Sequence, residues 1–461
     1  MGNLAVLLGL AGHRVRGSDA GVYPPMDRIL AGAGIEVRTG YGPANLSPTP
    51  DLVIVGNVCR PDHPEARAAI ERGLSLASMP AALRGLVLRG RRPLVVAGTH
   101  GKTTTTALVA HLLEKAGARP GLLVGGLPLG RSSGAILGEG PWLAVEGDEY
   151  DSAFFEKRPK FLGYEPDGLI ITSVEHDHVD IYPTWEIYRQ AFHRLVAIVP
   201  RTGCLVACAD SGPIRSIALD CPARVVTYGT ARGADYRIEG VDESADGVRF
   251  AIRSPAGGLG SFEVPLMGLH NALNAAAALA LCHEHAGVGI EVLRAALASF
   301  PGVARRQERA GSSGGVEVYD DFGHHPNAIA LTIDALRARI APGGRIVAVL
   351  RPASATGCRA LHQSEYAAAL ARADAAVIAP LARTSIPEAE RLDLARLARD
   401  IEAAGRVAML APSLDRIPEM VARLARSGDA VVFFSNTDPG SLASATLSLL
   451  GTGSGVDSPG S

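Results

Sequence analysis

Short apolar runs, each closed by glycine, acidic or histidine residues, recur along the chain and alternate with longer helix-compatible stretches. Leu94-Val95-Val96, Trp142-Leu143-Ala144-Val145 and Leu169-Ile170-Ile171 are too short for helices and show no polar alternation. Such runs predict strands of a parallel sheet covered on both faces. Helices are expected at 3–11, 25–34 and 104–114, and further strands at 14–16, 51–57, 345–350, 375–379 and 430–435. Strand and helix alternating in this way is the α/β pattern.

The 461 residues have length for two or three domains. Breaks at Arg89-Gly90-Arg91-Arg92-Pro93 and near residue 302 divide the chain into 1–91, 92–302 and 303–446. The Gly/Ser-rich end, 447–461, is expected to be a disordered tail. The first segment is expected to be Rossmann-like, yet it opens on a helix where that fold ordinarily opens with a strand and a glycine loop. Its first strand is therefore expected to be missing. A start placed too late is favoured over a true loss, because discarding a central parallel strand exposes core.

Composition narrows the class. Hydrophobic content of 47% and charged content of 20% fit a soluble globular protein, expected in the cytoplasm. A net charge of −2 gives no electrostatic case for nucleic acid or an anionic membrane as partner. No apolar run approaches the roughly 18–20 residues of a membrane span. The six cysteines are scattered, and Cys204 and Cys208 read as reduced core thiols. A monomer or weak homo-oligomer is expected.

The strongest chemical signal is the stretch 93–107, PLVVAGTHGKTTTTA. A strand-like run, a loop (Gly98, Thr99, His100, Gly101) and Lys102-Thr103-Thr104 opening a helix make a phosphate cradle: backbone N–H groups point at an anion and the lysine neutralises it. The strict pattern asks for glycine where Val96 stands, so only the shorter form is present. Thr103 is placed to coordinate Mg²⁺. Four carboxylates in six residues follow the next strand, at Glu146-Gly147-Asp148-Glu149-Tyr150-Asp151. A solvated turn is the ordinary reading of such a cluster; beside a phosphate loop it offers hard oxygen ligands, Glu146 first. Glu175-His176-Asp177-His178-Val179-Asp180 lies just beyond another strand, and ligands in open parallel sheets bind at strand carboxyl ends. Asn271 and Asn274 share a helical face, read either as polar surface or as an amide contact to a nucleotide. Arg305-Arg306 and Asp320-Asp321-Phe322-Gly323-His324-His325 stand near the second break; the arginines can clamp phosphates, and Asp321 can bind a ribose.

Together these segments resemble the Mur ligases, the ATP-dependent amide-forming enzymes of bacterial cell-wall precursors. GTHGKTTT (98–105), EGDEYD (146–151), EHDHVD (175–180), GLHNALNAAAA (268–278) and DDFGHHP (320–326) occur in family order over residues 1 to about 440. The resemblance implies a Rossmann-like N-terminal domain, a central P-loop-type ATPase domain and a C-terminal Rossmann-like domain that receives the amine. It implies ATP and Mg²⁺ as cofactors, with Lys102 and Thr103 serving the phosphates, and Thr103, Glu146 and His178 the metal. It places Asn271, Arg306 and Asp321 on ATP, His325 by the reacting groups, and Ser18, Asp19 and Asn57 in a UDP-sugar pocket. Lys102, His178 and His325 are the expected catalytic groups.

GSDAGVYPPM (17–26) and GDEYDSAFFEKRPKF (147–161) look like the muropeptide-recycling branch, which joins UDP-N-acetylmuramate to the tripeptide L-alanyl-γ-D-glutamyl-meso-diaminopimelate. Ligation of L-alanine or another amine, and a non-catalytic nucleotide- or muropeptide-binding relative, remain open alternatives. Several relatives carry a carbamylated lysine where this chain has His193. The branch's Glu-Pro-Arg-Ser-type loop reads Arg351-Pro352-Ala353-Ser354, putting Arg351 on the amine side. A Ser-Asn-Gly-Gly-type loop becomes Ser435-Asn436-Thr437-Asp438-Pro439-Gly440.

Overall fold

The computed structural model describes residues 1–452 apart from 245, 384, 438 and 439. Three α/β modules follow one another, and the first two pack into one compact unit. That unit holds residues 1–241, 250–264 and 272–301; the other holds 242–249, 265–271 and the chain from 302.

The N-terminal module runs α1 (Gly2–Leu10), β1 (Arg16–Asp19), α2 (Met26–Gly32), β2 (Glu36–Thr39), β3 (Val53–Val55), α3 (Pro64–Glu71), β4 (Leu76–Ser78) and α4 (Met79–Leu86). Its strands form two parallel pairs, β1–β2 and β3–β4, with no strand joining them among the described residues. Two separate pairs are what a Rossmann-like module leaves when its first strand is not there. The strand expected at 14–16 lies further on, because parallel register (Arg16↔Glu36 to Asp19↔Thr39) carries it through Gly17-Ser18-Asp19.

The central module opens with β5 (Arg92–Ala97), α5 (Lys102–Lys115), β6 (Gly121–Leu123), β7 (Ala135–Ile136) and β8 (Trp142–Gly147). A hairpin follows, β9 (Asp151–Ala153) and β10 (Glu156–Pro159), then β11 (Gly168–Ile171), α6 (Trp185–Ala197), β12 (Cys204–Cys208), α7 (Gly212–Ala218) and β13 (Arg224–Gly229). Strands β14 (Tyr236–Ser244), β15 (Gly247–Ser254) and β16 (Gly257–Val264) precede α8 (Leu269–Glu284) and α9 (Ile290–Ala298). Apart from the hairpin, the strands make a ten-stranded sheet in the order β16-β15-β14-β13-β12-β11-β5-β8-β6-β7. Leu94 to Ala97, Leu143 to Val145 and Leu169 to Ile171 have no exposed surface, as fully covered parallel strands require. Helix α5 is buried from Thr103 to Leu113, and the Thr103 and Thr106 hydroxyls donate to Glu146 and to the Lys102 carbonyl. Cys204 and Cys208 are free and buried, and burial raises the Cys204 thiol to about 11.

The C-terminal module comprises β17 (Glu308–Ser313), β18 (Val316–Asp321), α10 (Pro326–Arg339), β19 (Ile346–Leu350), α11 (Gln363–Leu370) and β20 (Ala375–Ile378). It ends with α12 (Leu394–Ala403), β21 (Val407–Leu410), α13 (Ile417–Leu424), β22 (Ala430–Phe434) and α14 (Ser441–Thr452). The sheet order is β17-β18-β22-β19-β20-β21. Ile346, Ala348 and Leu350 enter one core and Val347 and Val349 the other, the period-two alternation of a strand covered on both sides. Residues 447–452, expected in the tail, instead complete α14, because Leu450 is buried in that second core and Leu447 packs against it. Residues 453–461 lie outside the described residues. Among the described residues no helix is long and apolar enough to cross a membrane.

Candidate active site

The phosphate cradle forms where β5 ends. Gly98 (φ +138°) and Gly101 (φ +79°) turn the chain into α5, which begins at Lys102 rather than at Thr104 as expected. The N–H groups of Thr99 and His100 bond to Ser173 (2.9 Å to its carbonyl, 2.8 Å to Oγ), which anchors the loop to the end of β11. Those of the first helical turn have no intrahelical acceptor and leave a partial positive charge at the cradle.

Four strand-end groups converge on this turn. Lys102 Nζ donates to Gly98 O at 2.5 Å and lies 3.0 Å from Glu149 Oε2. His178 Nε2 is 2.9 Å from Glu149 Oε1, so one fully buried carboxylate is shared by a lysine and a histidine. Thr103 Oγ1 donates to Glu146 Oε1 at 2.7 Å, and the Gly125 N–H donates to Glu146 Oε2 at 2.6 Å. Burial works against the charge on each member of the triad. It is outweighed: nearby carboxylates, Glu149 foremost, raise Lys102, Lys102 and His178 lower Glu149, and Glu149 with Asp177 raises His178.

The segment after β11 is tied to the cradle. Thr99 Oγ1 meets Glu175 O and the Tyr188 hydroxyl, both at 3.0 Å, and His100 Nε2 meets Glu175 Oε2 at 3.1 Å. His178 adopts φ +52°, its own N–H donating to Asp177 Oδ1 at 2.7 Å and its ring lying 4.3 Å from that of Tyr150. The donor set at this place (Thr103, Glu146, Glu149, His178) is oxygen-rich with one imidazole, which suits a hard divalent ion that keeps several waters. His193, by contrast, pairs through Nδ1 with Asp220 Oδ2 at 2.6 Å.

In the N-terminal module, Ser18 and Asp19 end β1, where Asp19 Oδ1 accepts from the Gly21 N–H at 3.2 Å. Asn57 follows β3, in the other strand pair, and the described hydrogen bonds do not join it to Ser18 or Asp19.

A second constellation lies in the other unit. Asp321, at the end of β18, is buried; it accepts from Gly323 N (2.5 Å), Gln307 N (3.2 Å) and Thr332 Oγ1 (3.2 Å). Burial raises its pKa, against those donors and the Arg306 charge. Arg306 lies over the Phe322 ring at 4.7 Å, whereas its neighbour Arg305 is tied to Asp320 at 3.1 Å. Asn271 donates to Met267 O (2.8 Å) and Gln307 Oε1 (2.9 Å). Asn274, predicted on the same face, instead faces the cradle: a Cβ on Gly101 would come within 2.5 Å of its Oδ1. His325 caps α10, its Nδ1 accepting from Asn327 N at 3.4 Å, and stacks edge-on with His362 at 4.8 Å. Arg351 follows β19 and donates its N–H to Phe434 O at 3.0 Å. Asp438 and Pro439 of the last expected loop lie outside the described residues.

Sequence reasoning missed Glu149 as the partner of Lys102, and it missed Gln307, Tyr188 and Tyr182, whose hydroxyl donates to Glu149 O at 2.5 Å. The crowding of carboxylates at 146–151 was the one available signal for Glu149. Nothing in the sequence marked Gln307, which adopts φ +54° beside the arginine pair.

Three family models match the chain in order: Mur ligase family, catalytic domain, at 1–91; Mur ligase middle domain at 143–282; and Mur ligase, glutamate ligase domain, at 305–437. The chain is similar to the UDP-N-acetylmuramate–L-alanyl-γ-D-glutamyl-meso-2,6-diaminoheptandioate ligases of Haemophilus influenzae (36% identical) and Escherichia coli (37%). Each match runs over 437 residues, 95% of this chain and 93% of the relative. A crystal structure of a murein peptide ligase from Psychrobacter arcticus matches with a TM-score of 0.72 at 32% identity, covering 98% of this chain and 96% of that one.

Proposed function

The chain belongs to the Mur ligase family, and from that premise we propose that it is an ATP-dependent ligase joining UDP-N-acetylmuramate to L-alanyl-γ-D-glutamyl-meso-diaminopimelate, a reaction of murein recycling. The observation that carries this reading is the convergence of Lys102, Thr103–Glu146 and Glu149–His178 on one helix N-terminus. Relatives named for this activity match nearly the whole chain.

In the first step an oxygen of the lactyl carboxylate attacks the γ-phosphorus of ATP. The bond from that phosphorus to the β–γ bridging oxygen breaks, and ADP leaves. The amine then adds to the carbonyl of the resulting acyl phosphate, loses its proton to a base, and expels inorganic phosphate. Phosphorylation turns a poor leaving group into a good one. Lys102 and the loop residues Gly98, Thr99, His100, Gly101 and Thr104 hold the triphosphate. Thr103, Glu146 and His178 would hold Mg²⁺, which when bound would supply charge compensation for phosphoryl transfer. Asn271, Arg306 and Asp321 serve the nucleotide, and His325 stands by the reacting groups. Ser18, Asp19 and Asn57 serve the sugar nucleotide. Arg351 serves the amine, since Ala353 has no guanidinium to offer a carboxylate.

Mass spectrometry of the products from ATP, Mg²⁺, UDP-N-acetylmuramate and equal amounts of the tripeptide and L-alanine tests the proposal. A UDP-muramoyl-tripeptide is the expected product. An L-alanine adduct alone would move the activity to the biosynthetic branch. Nucleotide binding without ADP release for any amine would leave a non-catalytic relative.

A further inference from the structure

Lys160 is a buried lysine that the ATP chemistry above does not use. It opens the single 3₁₀ turn Lys160–Gly163 after the β9–β10 hairpin and is 9% exposed. Lysine is almost never buried without a partner, and this one has only a loose partner. Its Nζ lies 3.6 Å from Asp148 Oδ2, well beyond the roughly 2.7–2.9 Å of a charge-assisted hydrogen bond. An ammonium has three donors, and among the described residues none of the three makes a hydrogen bond.

Position says what those donors are for. Backbone bonds hold the turn against the acidic strand end: Lys160 N–H to Tyr150 O at 2.9 Å, and Phe161 N–H to Asp148 O at 3.1 Å. The ammonium sits over the Tyr150 ring at 5.6 Å, and the same ring lies 4.3 Å from His178. Tyr150 therefore stands between Lys160 and the triad around Lys102. On its other side the turn packs on α4 of the N-terminal module: a Cβ on Gly163 would come within 2.5 Å of Pro80 Cβ, and the Tyr164 hydroxyl reaches Met79 Sδ at 4.0 Å. Lys160 thus lies at the seam between the module assigned to the sugar nucleotide and the cradle assigned to ATP.

That seam has an electrostatic problem. Glu146, Asp148 and Glu149 crowd the strand end, and a substrate carboxylate has to come within about 3–3.5 Å of the γ-phosphorus. Like charges at such distances repel by several kcal/mol when partly desolvated. A buried cation with unused donors, on the side from which the sugar nucleotide approaches, offsets that repulsion. We propose that the Lys160 ammonium holds the carboxylate of the muramyl substrate for phosphorylation and so selects a sugar nucleotide that carries a carboxylate over one that lacks it. The proposal rests on the ligase reading above.

Binding of UDP-N-acetylmuramate and of UDP-N-acetylglucosamine, which lacks the lactyl carboxylate, is measured by titration calorimetry with the full chain, Lys160→Met and Lys160→Arg. The full chain is expected to prefer the muramate. Lys160→Met is expected to weaken the muramate about 10- to 100-fold, the worth of a hydrogen bond to a charged group, while the other sugar nucleotide and ATP change less than about twofold. Unchanged ATP binding also shows that the variant is folded, and Lys160→Arg is expected to recover part of the preference. Equal weakening of both sugar nucleotides would assign Lys160 to the diphosphate and overturn the proposal. An unaltered muramate affinity would overturn it too. A wild-type chain that binds neither sugar nucleotide would overturn the ligase reading itself.

Discussion

Lys102 and Glu149 form one buried ion pair, and the proposed ligase reading adds a catalytic role for Lys102 to that structural one. Removing Lys102 leaves a fully buried carboxylate with, among the described residues, His178 alone in an ion pair with it, and breaking a buried pair from one side costs about 3–5 kcal/mol. Lys102→Met is therefore expected to lose both stability and ADP release, the latter about 100- to 1,000-fold, the scale of one preorganised charge at a transition state. The double variant Lys102→Met/Glu149→Gln separates the two roles. Urea unfolding is expected to show most of the stability restored while ADP release stays at the single variant's level. Recovery of turnover within tenfold of wild type would remove Lys102 from the phosphate site. Lys102, Thr103 and Glu146 were legible in the sequence because each sits at a fixed offset from the end of an apolar run. Glu149 was not: which of four neighbouring carboxylates turns inward depends on how β8 leaves the sheet, and spacing does not encode that.

At the scale of elements, the cradle depends on two glycines for different reasons. A Cβ on Gly98 would sit 2.8 Å from the Ser173 backbone carbonyl and 2.2 Å from Thr172 Oγ1, at φ +138°. The atoms nearest a Cβ on Gly101 belong to the side chain of Asn274, at φ +79°. Backbone cannot move aside as a side chain can, so Gly98→Ala is expected to destabilise more than Gly101→Ala. Each should exceed about 1 kcal/mol, the cost of a strained φ, and denaturant midpoints at constant m-value give the order. In the C-terminal sheet, Asp374 ties the start of β19 to its surroundings: it accepts from Ile346 N (2.8 Å), Arg337 (2.5 Å) and Arg406 (3.3 Å). Burial works against its charge, but these donors outweigh it and lower its pKa from 3.8. A lowered carboxylate stabilises the fold fully above its unfolded value, and that stability is lost as pH falls through the lower folded value. Asp374→Asn is expected to flatten the acid limb of the unfolding midpoint below about pH 4 and to reduce stability at pH 7. The buried strands β5, β8, β11, β19, β20 and β22 were legible from their uninterrupted apolar runs, whereas the longer β14, β15 and β16, which mix buried and exposed positions, were not. The N-terminal strands were less legible, since β1 (Arg16-Gly17-Ser18-Asp19) has no apolar residue and is a strand only because β2 pairs with it.

At the scale of the whole molecule, three modules in sequence make two compact units, and the N-terminal module shares one with the phosphate cradle. The order of motifs made the three modules readable, whereas their grouping rests on packing such as that of α4 against the turn at Lys160–Gly163, which no local pattern announces. The grouping has a thermodynamic consequence. A ligand that binds only the folded cradle stabilises the N-terminal module with it, by about 2.7 kcal/mol at one hundred times its Kd. Given the entropy of unfolding of a unit of roughly 300 residues, that is a rise in melting temperature of about 3–5 °C. Mg²⁺ with ATP is expected to produce this shift in scanning calorimetry, and a chelator should cancel the part contributed by the metal. Lys102→Met should abolish the shift while Asp374→Asn, in the other unit, keeps it. A shift that survives in Lys102→Met would place the nucleotide elsewhere than at the helix N-terminus of α5, and the assignment of Thr103 and Glu146 to the metal would fall with it.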